Sequence, residues 1–255
     1  MGHRRRRDEK PEPQPSHFPK MEMEDRPVPA PRNLAPIKPK TYGQSAYMTA
    51  IESKKLIFGI GPAGTGKTFV ATALAADKLK AREIDKLILT RPAIEAGESL
   101  GFLPGEMDEK FDPYFRPVRN VLEARLGKGF TEYAIKAGKI EALPLAYMRG
   151  HTFDRCFVLL DEAQNTTPVQ MKMFLTRIGE ESTVVVDGDP TQKDIRGPSG
   201  LIDAVERMDG HPDVAVIRFT REDVVRSGLV QDILVAYENP EDEAERDGLR
   251  RVLTR

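Results

Sequence analysis

Short apolar runs alternate along this chain with longer segments whose apolar residues recur at helical spacing. Leu56–Ile60, Lys86–Thr90, Ile140–Leu145, Arg155–Leu160, Ser182–Val186 and Val214–Phe219 read as strands. Helices are predicted over Gln44–Lys54, Thr68–Lys80, Val118–Leu126, Val169–Ile178, Leu201–Met208 and Gly228–Tyr237. In the last of these Val230, Ile233, Leu234 and Tyr237 share one face. Residues 97–139 read as less regular, because Pro104, Pro113 and Pro117 interrupt them. Strands alternating with helices predict an α/β domain with a mostly parallel sheet flanked by helices on both sides. No internal repeat is present.

Residues 1–40 break this pattern. They hold 9 of the 20 prolines, four consecutive arginines (Arg4 to Arg7) and few large apolar groups. Such a segment buries too little surface to offset its ordering entropy, so a disordered tail is expected over 1–40. The folded domain is expected over 41–240, followed by a flexible charged tail over 241–255. Residues 1–40 carry 10 basic and 6 acidic residues, and the remainder 29 basic and 34 acidic. The acidic main domain therefore offers no bulk electrostatic attraction for nucleic acid. The single cysteine, Cys156, lies inside an apolar run and reads as a small core residue. The chain shows no signal peptide and no run long enough to span a bilayer, so a cytoplasmic location is the expectation.

The chemistry begins at Gly61-Pro62-Ala63-Gly64-Thr65-Gly66-Lys67-Thr68. This G-x-x-x-x-G-K-[ST] pattern is a phosphate-binding loop, whose glycines let several backbone N–H groups point at one anion. Lys67 is placed to reach the outer phosphates and Thr68 to put its hydroxyl on Mg²⁺. A predicted strand before it and a predicted helix after it supply the context the motif needs, since a helix N-terminus itself favours anions. The expected fold is therefore a P-loop NTPase domain that binds a nucleoside triphosphate.

A second constellation, Phe157-Val158-Leu159-Leu160-Asp161-Glu162-Ala163-Gln164, ends a buried strand in two acids. Asp161 can serve the metal sphere, and Glu162 lies where a base can polarise an attacking water. A third, Gly188-Asp189-Pro190-Thr191-Gln192, follows the next strand, where Gln192 can register the terminal phosphate. Gln44, ahead of the first strand, has an amide able to pair with the adenine edge; an exposed helix-start glutamine is the competing reading. Charge neutralisation in the transition state calls for an arginine. Arg226 ranks first, Arg149 second, with Arg91 and Arg218 behind them.

These residues, with LTRPAIEAGESLGFLPGEMDEKFDPYFRPV (89–118), PLAYMRG (144–150), LLDEAQNTTPVQMKMFLTRIG (159–179) and DVVRSGLVQDILVAYE (223–238), resemble the PhoH family of ATPases from Gln44 to Glu238. That family is similar to the first motor domain of superfamily-one helicases. The resemblance implies a RecA-like P-loop domain, ATP and Mg²⁺ as cofactors, ATP hydrolysis and work on RNA. It assigns the base to Gln44, phosphate and metal to Lys67 and Thr68, metal and water to Asp161 and Glu162, and sensing to Gln192. Three positions depart from the family pattern: Asp187 replaces a threonine, Ser227 a histidine and His151 an arginine. An extra carboxylate at Asp187 is expected to repel ATP or to bind a second cation.

The leading expectation is a Mg²⁺-dependent ATPase that remodels RNA or an RNA–protein complex. With one motor lobe, it would need a neighbouring subunit to complete its site, and a homo-oligomer, a hexamer by resemblance, follows. The alternative is a slow nucleotide-gated switch that recruits an RNA-processing or ribosome-associated partner. A small-molecule kinase would need a lid within 97–139.

Overall fold

The computed structural model describes residues 30–31, 34–92, 107–225, 228 and 230. Its elements are α1 (Tyr42–Ser53), β1 (Leu56–Ile60), α2 (Lys67–Ala81), β2 (Lys86–Arg91), α3 (Met107–Leu126), α4 (Lys128–Lys136), β3 (Ile140–Pro144), β4 (Cys156–Leu160), α5 (Pro168–Leu175), β5 (Thr183–Gly188), α6 (Gly200–Met208) and β6 (Val214–Arg218). All strand pairings are parallel, in the order β3-β2-β4-β5-β1-β6. The expected P-loop α/β architecture is the one observed.

Strand alternation divides the core in two. Ile57, Phe157, Leu159 and Val185 face the layer of α1, α2, α3 and α4. Phe58, Val158, Val184 and Val186 face the layer of α5 and α6. Buried on both faces, β1 and β4 are uniformly apolar, as parallel strands require.

Local chemistry sets the helix boundaries. The Thr41 side chain caps α1 by accepting from Gln44 N. Thr167 and Gln170 form a reciprocal capping box on α5, with Pro168 in the first turn, where its missing N–H costs nothing. Arg82 ends α2 in the left-handed region at φ 60°.

Residues 107–136 correct the sequence reading. Pro113 and Pro117 do not interrupt the segment; both lie inside the 20-residue α3. The stripe Phe115, Val118, Leu122 and Leu126 is buried against the core, and this packing outweighs the backbone N–H groups that the prolines lack. Arg125, near the end of α3, pairs with Asp77 of α2 and donates to the carbonyl of Ala35. Ile37 also packs on the core, so contact with the domain begins before Thr41. The helix expected over 228–237 lies almost wholly outside the described residues. Among the described residues, no helix is long and apolar enough to cross a membrane.

Candidate functional site

The phosphate loop leaves the C-terminal end of β1 and enters α2 through Gly66, at φ 83°. A side chain there would strike the Gln44 amide, and a Cβ on Gly61 would collide with the Phe219 carbonyl oxygen. The two glycines thus permit a close approach as well as a tight curl. Lys67 Nζ donates to the carbonyls of Gly61 (2.7 Å) and Pro62 (2.9 Å) and to Thr65 Oγ1 (3.3 Å). It also stands 5.8 Å from the Phe219 ring centroid, a cation–π contact. Burial lowers its pKa, and the charges of Asp187, Asp189, Asp161 and Glu162 oppose that shift.

The second constellation meets this loop. Thr68 Oγ1 donates to Asp161 Oδ1 at 3.1 Å. Asp161 directly follows β4, its N–H donating to Thr90 O of the neighbouring β2. Burial raises its pKa, and the Glu162 charge raises it further, with Arg91 and Thr68 opposing. A buried carboxylate so desolvated gains from a cation. Thr68 and Asp161 present the hard oxygen donors that Mg²⁺ takes, one or two from protein and the rest from phosphates and water. Among the described residues no cluster of three His, Cys, Asp or Glu side chains exists. The Thr68–Asp161 pair therefore stands as the candidate metal position.

Glu162 occupies the left-handed region at φ 55°, ψ 37°, where a side chain larger than glycine is strained. Its Oε1 pairs with Arg91 Nη2 at 3.0 Å and its Oε2 accepts from Gln164 Nε2 at 2.6 Å. The third constellation starts at Gly188, the last residue of β5. Asp189 Oδ2 accepts from Gln192 Nε2 at 3.0 Å, which holds the Gln192 side chain at the rim. A cleft of ≈ 230 Å³ results, lined by Ala63, Gly64, Gly66, Lys67, Thr68, Asp161, Glu162 and Gln192, among others. A larger hollow of ≈ 610 Å³, beside Phe130 and Tyr133, includes Arg82, Ile84 and Asp85 and so lies near the start of β2, away from these groups.

Other predicted residues fall elsewhere. Gln44 is buried: Nε2 donates to Thr65 O (2.9 Å) and Oε1 accepts from Lys40 N (2.9 Å), which leaves one N–H and one lone pair of the amide. Of the candidate arginines, Arg91 is paired with a cleft residue, Glu162. Arg149 is exposed, and Arg218 reaches towards Asp209 at 3.7 Å. Arg226 and Ser227 lie outside the described residues; Val225 N donates to Gly64 O, so the backbone one residue before Arg226 touches the phosphate loop. His151 lines a different hollow, with Phe115 and Ile140.

Asp187 corrects an expectation. It does not line the cleft but is fully buried behind it, accepting from Tyr47 Oη. Burial pushes its pKa up to about 8 and so disfavours its charged form. Sequence reasoning also gave no role to Gln164, Tyr47 or Asp223. Asp223 accepts from Gly43 N and Thr220 N, tying α1 to the chain after β6. Cys156 is buried as expected, and burial raises its thiol pKa.

The family model for PhoH-like protein matches residues 36–238, and the chain belongs to that family. It is 53% identical over 210 residues to Protein PhoH of Escherichia coli (strain K12), covering 81% of this chain and 59% of that protein. It is 52% identical over 204 residues to the PhoH-like protein of Bacillus subtilis (strain 168), covering 79% and 64%. For the PhoH-like protein of Mycobacterium tuberculosis (strain H37Rv) the values are 49% over 221 residues, 86% and 62%. The chain thus spans less than two thirds of these relatives' length. Among solved structures, the large terminase of a thermophilic bacteriophage aligns at a TM-score of 0.48 and 10% identity, over 79% of this chain and 51% of that one.

Proposed function

We propose that this PhoH-family chain is a Mg²⁺-dependent ATPase that couples hydrolysis to remodelling of RNA or RNA–protein complexes. The observation that carries the reading is the 3.1 Å contact between Thr68 and Asp161, with Lys67 inside the loop and Glu162 on the same cleft. Bound Mg²⁺ would neutralise phosphate charge between Thr68 and Asp161. Lys67 exchanges its loop carbonyls for phosphate oxygens. Glu162 takes a proton from the attacking water. Gln192 contacts the terminal phosphate. Arg226 completes the charge on the transition state across a subunit boundary in a homo-oligomer, a hexamer by resemblance. RNA as the partner rests on the family resemblance, and a cytoplasmic location on the sequence reading.

One observation favours the second reading, a slow nucleotide-gated switch. Both carboxylate oxygens of Glu162 already accept bonds, from Arg91 and Gln164, so the side chain is tethered at both oxygens before any water arrives. Steady-state ATP hydrolysis with and without Mg²⁺, and with and without single-stranded RNA, tests the proposal. Mg²⁺-dependent turnover stimulated by RNA supports the motor. Tight ATP binding with turnover indifferent to RNA favours the switch, and no binding of ATP overturns both.

A further inference from the structure

Among the described residues four helices cover one face of the sheet, while α5 and α6 cover the other. The segments that lead into these two are tied together. Gln164 donates to the Gln192 carbonyl at 3.3 Å and accepts from Asp189 N at 3.1 Å and Ser199 Oγ at 2.9 Å. Gly200 N donates to Thr166 O at 2.7 Å, so the 188–200 turn hangs from the residues that precede α5. A Cβ on Gly200 would sit 2.8 Å from Met171 Cβ, so α6 begins in direct contact with α5.

A groove of ≈ 480 Å³ runs between the two helices and reaches Thr176 and Met208 at their ends. Met171 and Ala204 form its buried floor, and Leu175 and Met208 its half-buried walls. Val169, on the rim, is 79% exposed, so its apolar side chain is open to a partner. The rim also carries Lys172, Asp203 and Arg207. Arg207 pairs with Asp203 at 2.8 Å, which leaves Lys172 as the excess positive charge.

An apolar groove between two helices is a seat for the apolar face of a third. The predicted helix 228–237 has such a face, with Val230, Ile233, Leu234 and Tyr237 at the i, i+3, i+4 and i+7 positions. Gly228 and Val230 are helical, as that spacing predicts, and Val230 is already half-buried. Ten helical residues span ~15 Å, and the 8 of α5 and 9 of α6 span ~12–14 Å, so the lengths match. Residues 238–247 then hold six acids and one arginine, opposite in sign to Lys172. The chain's own helix starts on the wrong side for its own groove. Asp223 accepts from Gly43 N of α1, in the opposite layer, and Val225 N donates to Gly64 O. The step from Val225 to Gly228 covers at most ~11 Å, about one helix diameter, whereas the groove lies beyond the sheet.

We propose that the α5–α6 groove of one chain receives Ile233, Leu234 and Tyr237 of a second copy's 228–237 helix. Groove and helix are different surfaces, and every copy offers one of each. Such heterologous contacts propagate head to tail and close into a ring when the rotation allows. The proposal rests on the homo-oligomer reading above and names the two surfaces that build it.

Size-exclusion light scattering of the full chain, with and without Mg²⁺ and ATP, tests it together with disulfide cross-linking. The wild type is expected to be an oligomer. A charge set into the groove or onto the helix face, in Val169→Asp or Leu234→Asp, weakens association about 10- to 100-fold. Because Val169 is exposed, its replacement leaves the fold intact, read as an unaltered circular dichroism spectrum. Chains carrying Val169→Cys, mixed with chains carrying Leu234→Cys and oxidised, give a covalent dimer that neither gives alone. A wild type that is monomeric in every condition overturns the oligomer reading and the groove with it. An oligomer that keeps its size in both aspartate variants, or a mixture that gives no dimer, overturns the groove alone. A disulfide closing within single chains that carry both cysteines, with no dimer from the mixture, puts the chain's own helix in the groove and overturns the second copy as occupant.

Discussion

Tyr47 Oη donates a 2.5 Å hydrogen bond to Asp187 Oδ1, joining α1 to the end of β5 beneath the phosphate loop. The other carboxylate oxygen, Oδ2, is buried with no partner. Gly59 on the adjacent strand leaves room for this carboxyl, since a Cβ there would meet Asp187 Oδ1.

This buried acid makes stability depend on pH. In the folded chain Asp187 keeps its proton up to about pH 8, whereas an unfolded aspartate loses it near ~3.9. The folded state then binds the extra proton. The group's contribution is fully present below about pH 4 and is lost as pH rises through about 8, by at most ~1.4 kcal/mol per pH unit. Asp187→Asn keeps the shape without the charge. Urea unfolding across this window is expected to show a flatter pH profile in the variant, and an unchanged slope would refute the assignment.

Lys67→Ala removes the ammonium held inside the loop. A hydrogen bond to a charged group contributes ~1.5–3 kcal/mol, so ATP binding should weaken about 10- to 150-fold by titration calorimetry. The circular dichroism spectrum should be unaltered.

Glu162→Gln separates chemistry from binding. Loss of the general base is expected to slow single-turnover hydrolysis ~10²- to 10⁴-fold while leaving ATP affinity nearly unchanged. The lost pair with Arg91 is about one-third exposed on each side, so stability should drop by no more than ~1 kcal/mol. Wild-type turnover would remove Glu162 from the mechanism.

Gly188→Ala tests the close packing of the Asp161–Gln164 segment on β5. The new methyl would meet Leu201 Cδ2 at 2.6 Å and Gln164 N at 3.0 Å. Overpacking of this kind costs ~1–3 kcal/mol, read as a lower urea midpoint. A neutral result would show that α6 yields more easily than its packing suggests.

Arg125→Ala removes both the ion pair to Asp77 and the bond to Ala35 O. Stability is expected to fall ~1–3 kcal/mol, and limited proteolysis should cut sooner within residues 34–40. Equal cleavage rates would show that Ile37 alone holds this stretch.

The phosphate loop, the Asp161–Glu162 pair and the position of each strand were legible because their signals are local: glycine spacing, an acid after an apolar strand, alternation between periods. The prolines of α3 misled because their effect depends on what Phe115 and Leu122 pack against, which no window of sequence contains. Asp187 was misplaced for a related reason. Its position next to Gly-Asp put it at the right strand end, but the direction of the side chain, and Tyr47 as its partner, come from tertiary contact. Gln164 was visible as a letter in a motif, while its four hydrogen bonds needed the 188–200 turn to be folded beside it. Among arginines, chain position pointed to Arg226, whereas the strand pairing of β2 with β4 sets Arg91 against Glu162.

The placement of β1 between β5 and β6 has a consequence for how the protein is made. Leu56 pairs with Val184 on one side and Val214 on the other, both synthesised long after it. As the nascent chain leaves the ribosome, β1 must wait without neighbours until nearly the whole domain has emerged. Closing so long a loop is slow, and the phosphate loop that β1 carries is among the last parts to take shape. A chain halted by premature termination before β5 would therefore hold the complete G-x-x-x-x-G-K-[ST] motif without either strand that pairs with β1.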